Sequence, residues 1–106
     1  MFTKVKNQNK QMRERSENRR QIDVSNLNDE EYYIYQTFDR ATATVGGVEF
    51  VLYYDPYYRS ITARPASGEY VSYSDRDAYR NRMDSFLRKE MRDRGVVNIP
   101  SIYVEF

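Results

Sequence analysis

At 106 residues, with 17 basic and 16 acidic side chains, the chain is one modest domain whose net charge of +1 says little about partners. It has no cysteine and no histidine, which removes disulfides, thiolate catalysis, His-based triads and the common zinc and iron sites. No apolar run approaches the length of a membrane span and the N-terminus lacks the hydrophobic stretch of a signal peptide, so a cytoplasmic, intracellular location is expected.

The distribution of charge is more informative than its total. Residues 1–24 hold seven basic and three acidic side chains, residues 25–75 three basic and eight acidic, and residues 76–106 seven basic and five acidic. A chain polarised in this way can present one sign to a partner and the other elsewhere. Tyrosine is over-used, with eleven copies and no tryptophan. Strand propensity and core filling account for some of them. The core of so short a chain cannot absorb all eleven, so several must face solvent or a partner.

Residues 1–26 form a basic N-terminal extension in which Phe2, Val5, Met12 and Ile22 are thinly spread and no period of 2 or 3.6 is sustained. This composition predicts a tail that is flexible unless bound. Residues 27–106 are expected to form a single α+β domain. Its first segment, residues 28–38, is read as a helix: Asn28 with Glu31 three residues later resembles a capping box, and Asp29, Glu30 and Glu31 suit the helix dipole. The β-prone run Tyr32-Tyr-Ile-Tyr35 is the argument for a strand there.

The clearest signal is Ala41-Thr-Ala-Thr-Val45-Gly46-Gly47-Val48-Glu-Phe-Val-Leu-Tyr53. Two alternating segments flank a Gly-Gly pair able to supply the positive φ of a two-residue hairpin turn. Pairing Val45 with Val48 sets Ala43 opposite Phe50 and Ala41 opposite Leu52 on an apolar face. Thr42, Thr44, Glu49, Val51 and Tyr53 fall on the other. Asp55-Pro56 has the chemistry of a type I turn. A third strand is expected at Arg59–Ala63, ended by Pro65, and a brief fourth at Tyr70–Tyr73.

Asp75–Arg94 is predicted to be the main helix, with Ser74 as N-cap, Asp77 at the third helical position and Gly95 beyond the C-terminus. Tyr79, Met83, Phe86, Leu87 and Met91 make one apolar stripe, and Arg82, Arg88, Lys89 and Arg92 a basic far side. Ile102, Val104 and Phe106 alternate in a last strand. The expected fold is a small antiparallel sheet built on the central hairpin, with the C-terminal helix and a second, earlier helix packed on one face.

Catalytic options are thin, and the chain is read as non-enzymatic, with no cofactor and no metal. Consecutive Asp29, Glu30 and Glu31 point in different directions on a helix, and Gly46-Gly47 lacks the helix N-terminus that a phosphate loop needs. Gly47, Phe50, Val51 and Tyr53 overlap the central-strand motif of RNA-recognition domains. Gly46, Val48 and Glu49 stand where that motif needs a basic, an aromatic and a small residue, so the match is set aside.

The favoured reading is an interaction protein, an inhibitor, adaptor or assembly component of the kind that viruses and mobile elements encode. It would dock on a larger protein or nucleoprotein assembly through Tyr53, Tyr54, Tyr57 and Tyr58 around the Pro56 turn and through Arg13 and Arg15, since Tyr and Arg dominate binding hot spots. The alternative is direct RNA or DNA binding by Lys4, Lys6, Lys10, Arg13, Arg15, Arg19 and Arg20 of the tail with Arg88, Lys89 and Arg92 of the helix.

Overall fold

Gly46 and Gly47 adopt φ of +58° and +81°, and around them the chain forms the expected hairpin. In the computed structural model, which describes residues 26–106 and the backbone of Lys6–Asn7, strand β2 (Ala41–Val45) pairs antiparallel with β3 (Val48–Asp55). The register is Val45 to Val48, Ala43 to Phe50 and Ala41 to Leu52. Alternation then decides the faces: Ala41, Ala43, Val45, Phe50, Leu52 and Tyr54 are buried, and Thr42, Thr44, Val51 and Tyr53 lie on the other side, partly open. The turn is closed from the helix layer. The Tyr79 hydroxyl donates to the Gly46 carbonyl at 2.9 Å, and a Cβ on Gly46 would stand only 2.9 Å from Arg82 Nη1 and Tyr79 Cε1.

β4 (Ser60–Pro65) continues the meander antiparallel to β3, and β5 (Ser101–Val104) completes the sheet beside it. A two-residue strand β1 (Lys6–Asn7) pairs with β2 on the opposite edge, giving the order β1-β2-β3-β4-β5. β5 runs parallel to β4, so the sheet is mixed where an all-antiparallel one was expected. The cause is the helix between them. It carries the chain along the sheet and back to the end where β4 began, which is the usual requirement for a parallel neighbour.

Two helices cover one face of the sheet. α1 (Asp29–Phe38) has the full capping box: Glu31 N donates to Asn28 Oδ1 at 2.8 Å and Asn28 N to Glu31 Oε1 at 3.0 Å. That reciprocal pair settles residues 28–38 as helix over strand, and Ile34, Tyr35 and Phe38 are its buried face. α2 (Arg76–Asp93) buries Met83, Leu87 and Met91, with Tyr79 and Phe86 at the margins of the same core. Each fully buried side chain of this size contributes about 1.5–3 kcal/mol relative to exposure.

The start of α2 differs from expectation. A 3-10 turn at Tyr73–Asp75 precedes it, so Ser74 lies within that turn and Asp75, not Ser74, stands at the N-cap. Residues 70–73 form no strand. The edge of β4 against which they would pair is occupied by β5, and only Val71 of this stretch is buried. At the other end Gly95, at φ +88°, ends the helix as expected.

Candidate interaction surface

The sheet has two ends of different character, one at the Gly46-Gly47 turn and one at the Asp55–Arg59 turn between β3 and β4. At the second, Asp55 Oδ1 accepts from the backbone N–H of Tyr57 at 2.9 Å and Tyr58 at 3.3 Å. This short-range bonding is the reason Asp opens turns of this kind. Arg59 then takes a left-handed conformation, φ +54°, which costs a non-glycine residue free energy and requires compensation. Its side chain supplies it: Arg59 Nη1 meets Glu31 Oε2 at 2.6 Å and Nη2 donates to the Asn98 carbonyl at 3.0 Å.

Glu30 completes the clamp by accepting from Val97 N at 2.7 Å and Asn98 N at 3.2 Å. Two carboxylates of the first turn of α1 therefore tie three segments together: the β3–β4 turn, the α2–β5 loop and the helix itself. The acidic run of residues 29–31 gave no sign of this role, because its partners lie 28 to 68 residues away in sequence. A further carboxylate stands inboard of them. Asp39, buried, accepts from Tyr54 N at 2.8 Å and fixes the end of β3 against the end of α1.

On this fixed backbone Tyr57 and Tyr58 are 84 % and 74 % exposed, with their rings packed edge to face at 4.8 Å between centroids. Exposed Val97 belongs to the loop clamped beside them. Tyr53 and Tyr54, expected in the same cluster, are not part of it. Tyr54 is fully buried on the core face, and burial pushes its hydroxyl pKa above the ordinary value, with Arg59 opposing and Glu31 and Asp55 adding to the effect. Alternation from Phe50 and Leu52 carries that signal. Tyr53 lies on the open face of the sheet, with the Arg40 guanidinium 5.2 Å above its ring.

The basic candidates are divided. Arg88 Nε pairs with Asp84 Oδ2 at 3.0 Å and Lys89 Nζ with Asp93 Oδ2 at 2.8 Å. The hydrogen bond and charge of Asp93 raise the Lys89 pKa. Of the three helix cations, Arg92 is the one with no ion pair among the described residues. Lys4, Lys10, Arg13, Arg15, Arg19 and Arg20 lie outside the described residues, and Lys6 is described only as backbone in β1. The expected flexibility of the extension falls outside them too.

Among the described residues no group of three or more acidic side chains is arranged to hold a metal ion, and no helix is long and apolar enough to cross a membrane. No protein-family model matches the chain, and comparisons with curated proteins and with solved structures give no match either.

Proposed function

We propose that this is a non-enzymatic interaction protein that docks on a larger protein or nucleoprotein assembly through its tyrosine end, as an inhibitor, adaptor or assembly component. The carrying observation is that Tyr57 and Tyr58 stand outside the core on a backbone fixed by Asp55, Arg59, Glu30 and Glu31. A rigid aromatic pair buries a large area on binding while losing little conformational freedom. Arg13 and Arg15 of the extension are the proposed second contact. Internal pairing of Arg88 and Lys89 weakens the case for the helix as a phosphate-binding face.

The test compares the intact chain with the double variant Tyr57→Ala/Tyr58→Ala in affinity capture from cell extract, with and without nuclease and over a salt series. Specific capture should survive nuclease, respond weakly to salt and fall at least about tenfold in the double variant, the loss of one modest hot spot. Retained capture by a folded double variant would remove the tyrosine end from the proposal. Binding that vanishes with nuclease, or falls steeply with salt, would instead identify phosphate contact as the activity.

A further inference from the structure

Among the described residues, no strand pairs with the outer edge of β5. Ser101 N donates to the Arg59 carbonyl at 3.0 Å and Glu105 N to the Ala63 carbonyl at 2.9 Å, so alternation turns the N–H and C=O groups of Ile102 and Val104 away from β4. β5 is the last strand of the sheet, and residues 101–104 contain no charge and no proline. Natural sheets usually blunt such an edge with lysine, proline, a bulge or a covering segment. The side chains of Ile102 and Val104 face the core but are only half-buried, and Tyr103 is 54 % exposed on the open face.

We propose that this edge is the dimerisation surface of the protein, occupied by β5 of a second copy running antiparallel. The strand is self-complementary about Tyr103. A two-fold axis there sets Ile102 opposite Val104 of the second copy, and Val104 opposite its Ile102. Those are the residues whose main-chain groups point outward, so both pairs are of the hydrogen-bonded type and satisfy every outward donor of the strand. Their half-buried side chains meet on the core face and extend each hydrophobic layer into the other. The two copies of Tyr103 face one another on the open side, and Glu105 falls opposite Ser101, with no clash of like charges.

The helix layer does not oppose this pairing. Arg80 lies 5.2 Å over the Phe106 ring, which places the flank of α2 bearing Asp77, Arg80, Asp84 and Arg88 beside the free edge. The opposite flank, with Arg82, Phe86 and Lys89, lines a groove with Val45 and Gly46 at the far side of the sheet. Charges along the edge-side flank alternate in sign. All four are paired within the subunit, Arg80 with Asp77 at 2.9 Å and Arg88 with Asp84 at 3.0 Å, so the flank brings no single-sign charge to the edge and imposes no repulsion on a second copy. Because the two subunits run in opposite directions, their tyrosine ends point to opposite ends of the joined sheet, and one dimer can engage two partners. This dimer does not depend on what the tyrosine end binds.

Sedimentation of the full chain over a wide concentration range tests the proposal. The chain should pass reversibly from monomer to dimer. Tyr103→Lys, which sets two ammonium groups opposite one another without touching the core, should weaken association roughly tenfold or more, and Tyr103→Phe should preserve it. A chain that stays monomeric at every concentration would overturn the proposal. So would a dimer indifferent to Tyr103→Lys in a variant with unchanged circular dichroism.

Discussion

At the tyrosine end of the sheet, carboxylates hold backbone: Glu30, Asp39 and Asp55 all accept main-chain N–H groups, and Glu31 holds the arginine that closes the turn. At the glycine end, arginines lie on rings. Arg76 stands 5.5 Å from the Tyr73 ring centre and 5.4 Å from that of Phe106, Arg80 covers Phe106, and Phe106 meets Phe50 edge to face. Both ends carry tyrosines outside the buried core, exposed Tyr73 and part-buried Tyr79 at one and exposed Tyr57 and Tyr58 at the other, yet their employment differs. Tyr73 supports a cation, and Tyr79 bonds the Gly46 carbonyl. Tyr57 and Tyr58 pack on one another, held up by a backbone that carboxylates have already fixed. The comparison teaches that exposure alone does not mark a binding residue; exposed rings whose loss leaves the local scaffold intact are the better candidates.

β5 belongs to both ends, and its removal should produce the largest effect. It begins with Ser101 bonded to Arg59 beside the tyrosine turn and leads to Phe106 beneath Arg76 and Arg80. Truncation before Ile102 should abolish cooperative unfolding, measured by circular dichroism during thermal or urea denaturation, because Ile61 and Ala63 lose their neighbouring strand and the sheet loses a ladder. A cooperative transition unchanged by the truncation would show that the two ends are held together without β5.

A smaller effect separates the ends directly. Phe106→Ala removes two cation–ring contacts and an aromatic pair, and should lower stability by about 1–2 kcal/mol. Tyr57→Ala/Tyr58→Ala, although it deletes two larger side chains, should stay within about 0.5 kcal/mol of the parent because neither ring supports the core. Urea denaturation of the two variants gives the comparison. Equal losses would mean that Tyr57 and Tyr58 are structural after all, and the case for them as partner contacts would fall.

Much of this contrast was hidden in the sequence, for reasons particular to each element. The hairpin was legible because Gly46-Gly47 and period-2 alternation specify turn, register and faces together. α1 was legible as helix through Asn28 and Glu31, and α2 through the Met83, Leu87 and Met91 stripe. The direction of β5 was not, since antiparallel and parallel strands share one pattern and only the length and path of α2 decide between them. The Tyr70–Tyr73 segment read as a strand because it alternates, but a strand also needs a free edge. The clamp at the tyrosine end was invisible, as Glu30, Glu31 and Arg59 meet only after the chain has folded. Tyr54, by contrast, could have been placed from Phe50 and Leu52 alone.

That misplaced tyrosine gives the smallest of the expected effects and the sharpest internal contrast within one end. Tyr54 lies in the core directly inboard of the exposed pair, and burial raises its pKa above 10.0. Tyr33, over whose ring Arg94 lies, is raised by burial as well, with Arg94 opposing. A group whose pKa is raised on folding contributes stability that is fully present below its unfolded value and is lost as pH rises through the folded one. The protein should therefore hold its stability through neutral pH and lose it progressively above about pH 10, the ordinary tyrosine value. Tyr54→Phe removes the ionisable hydroxyl and should flatten that alkaline loss, leaving the part due to Tyr33. Urea midpoints measured on either side of that pH give the slope for each protein. An identical slope in the variant would mean that Tyr54 ionises without cost, which a hydroxyl enclosed by the core cannot do.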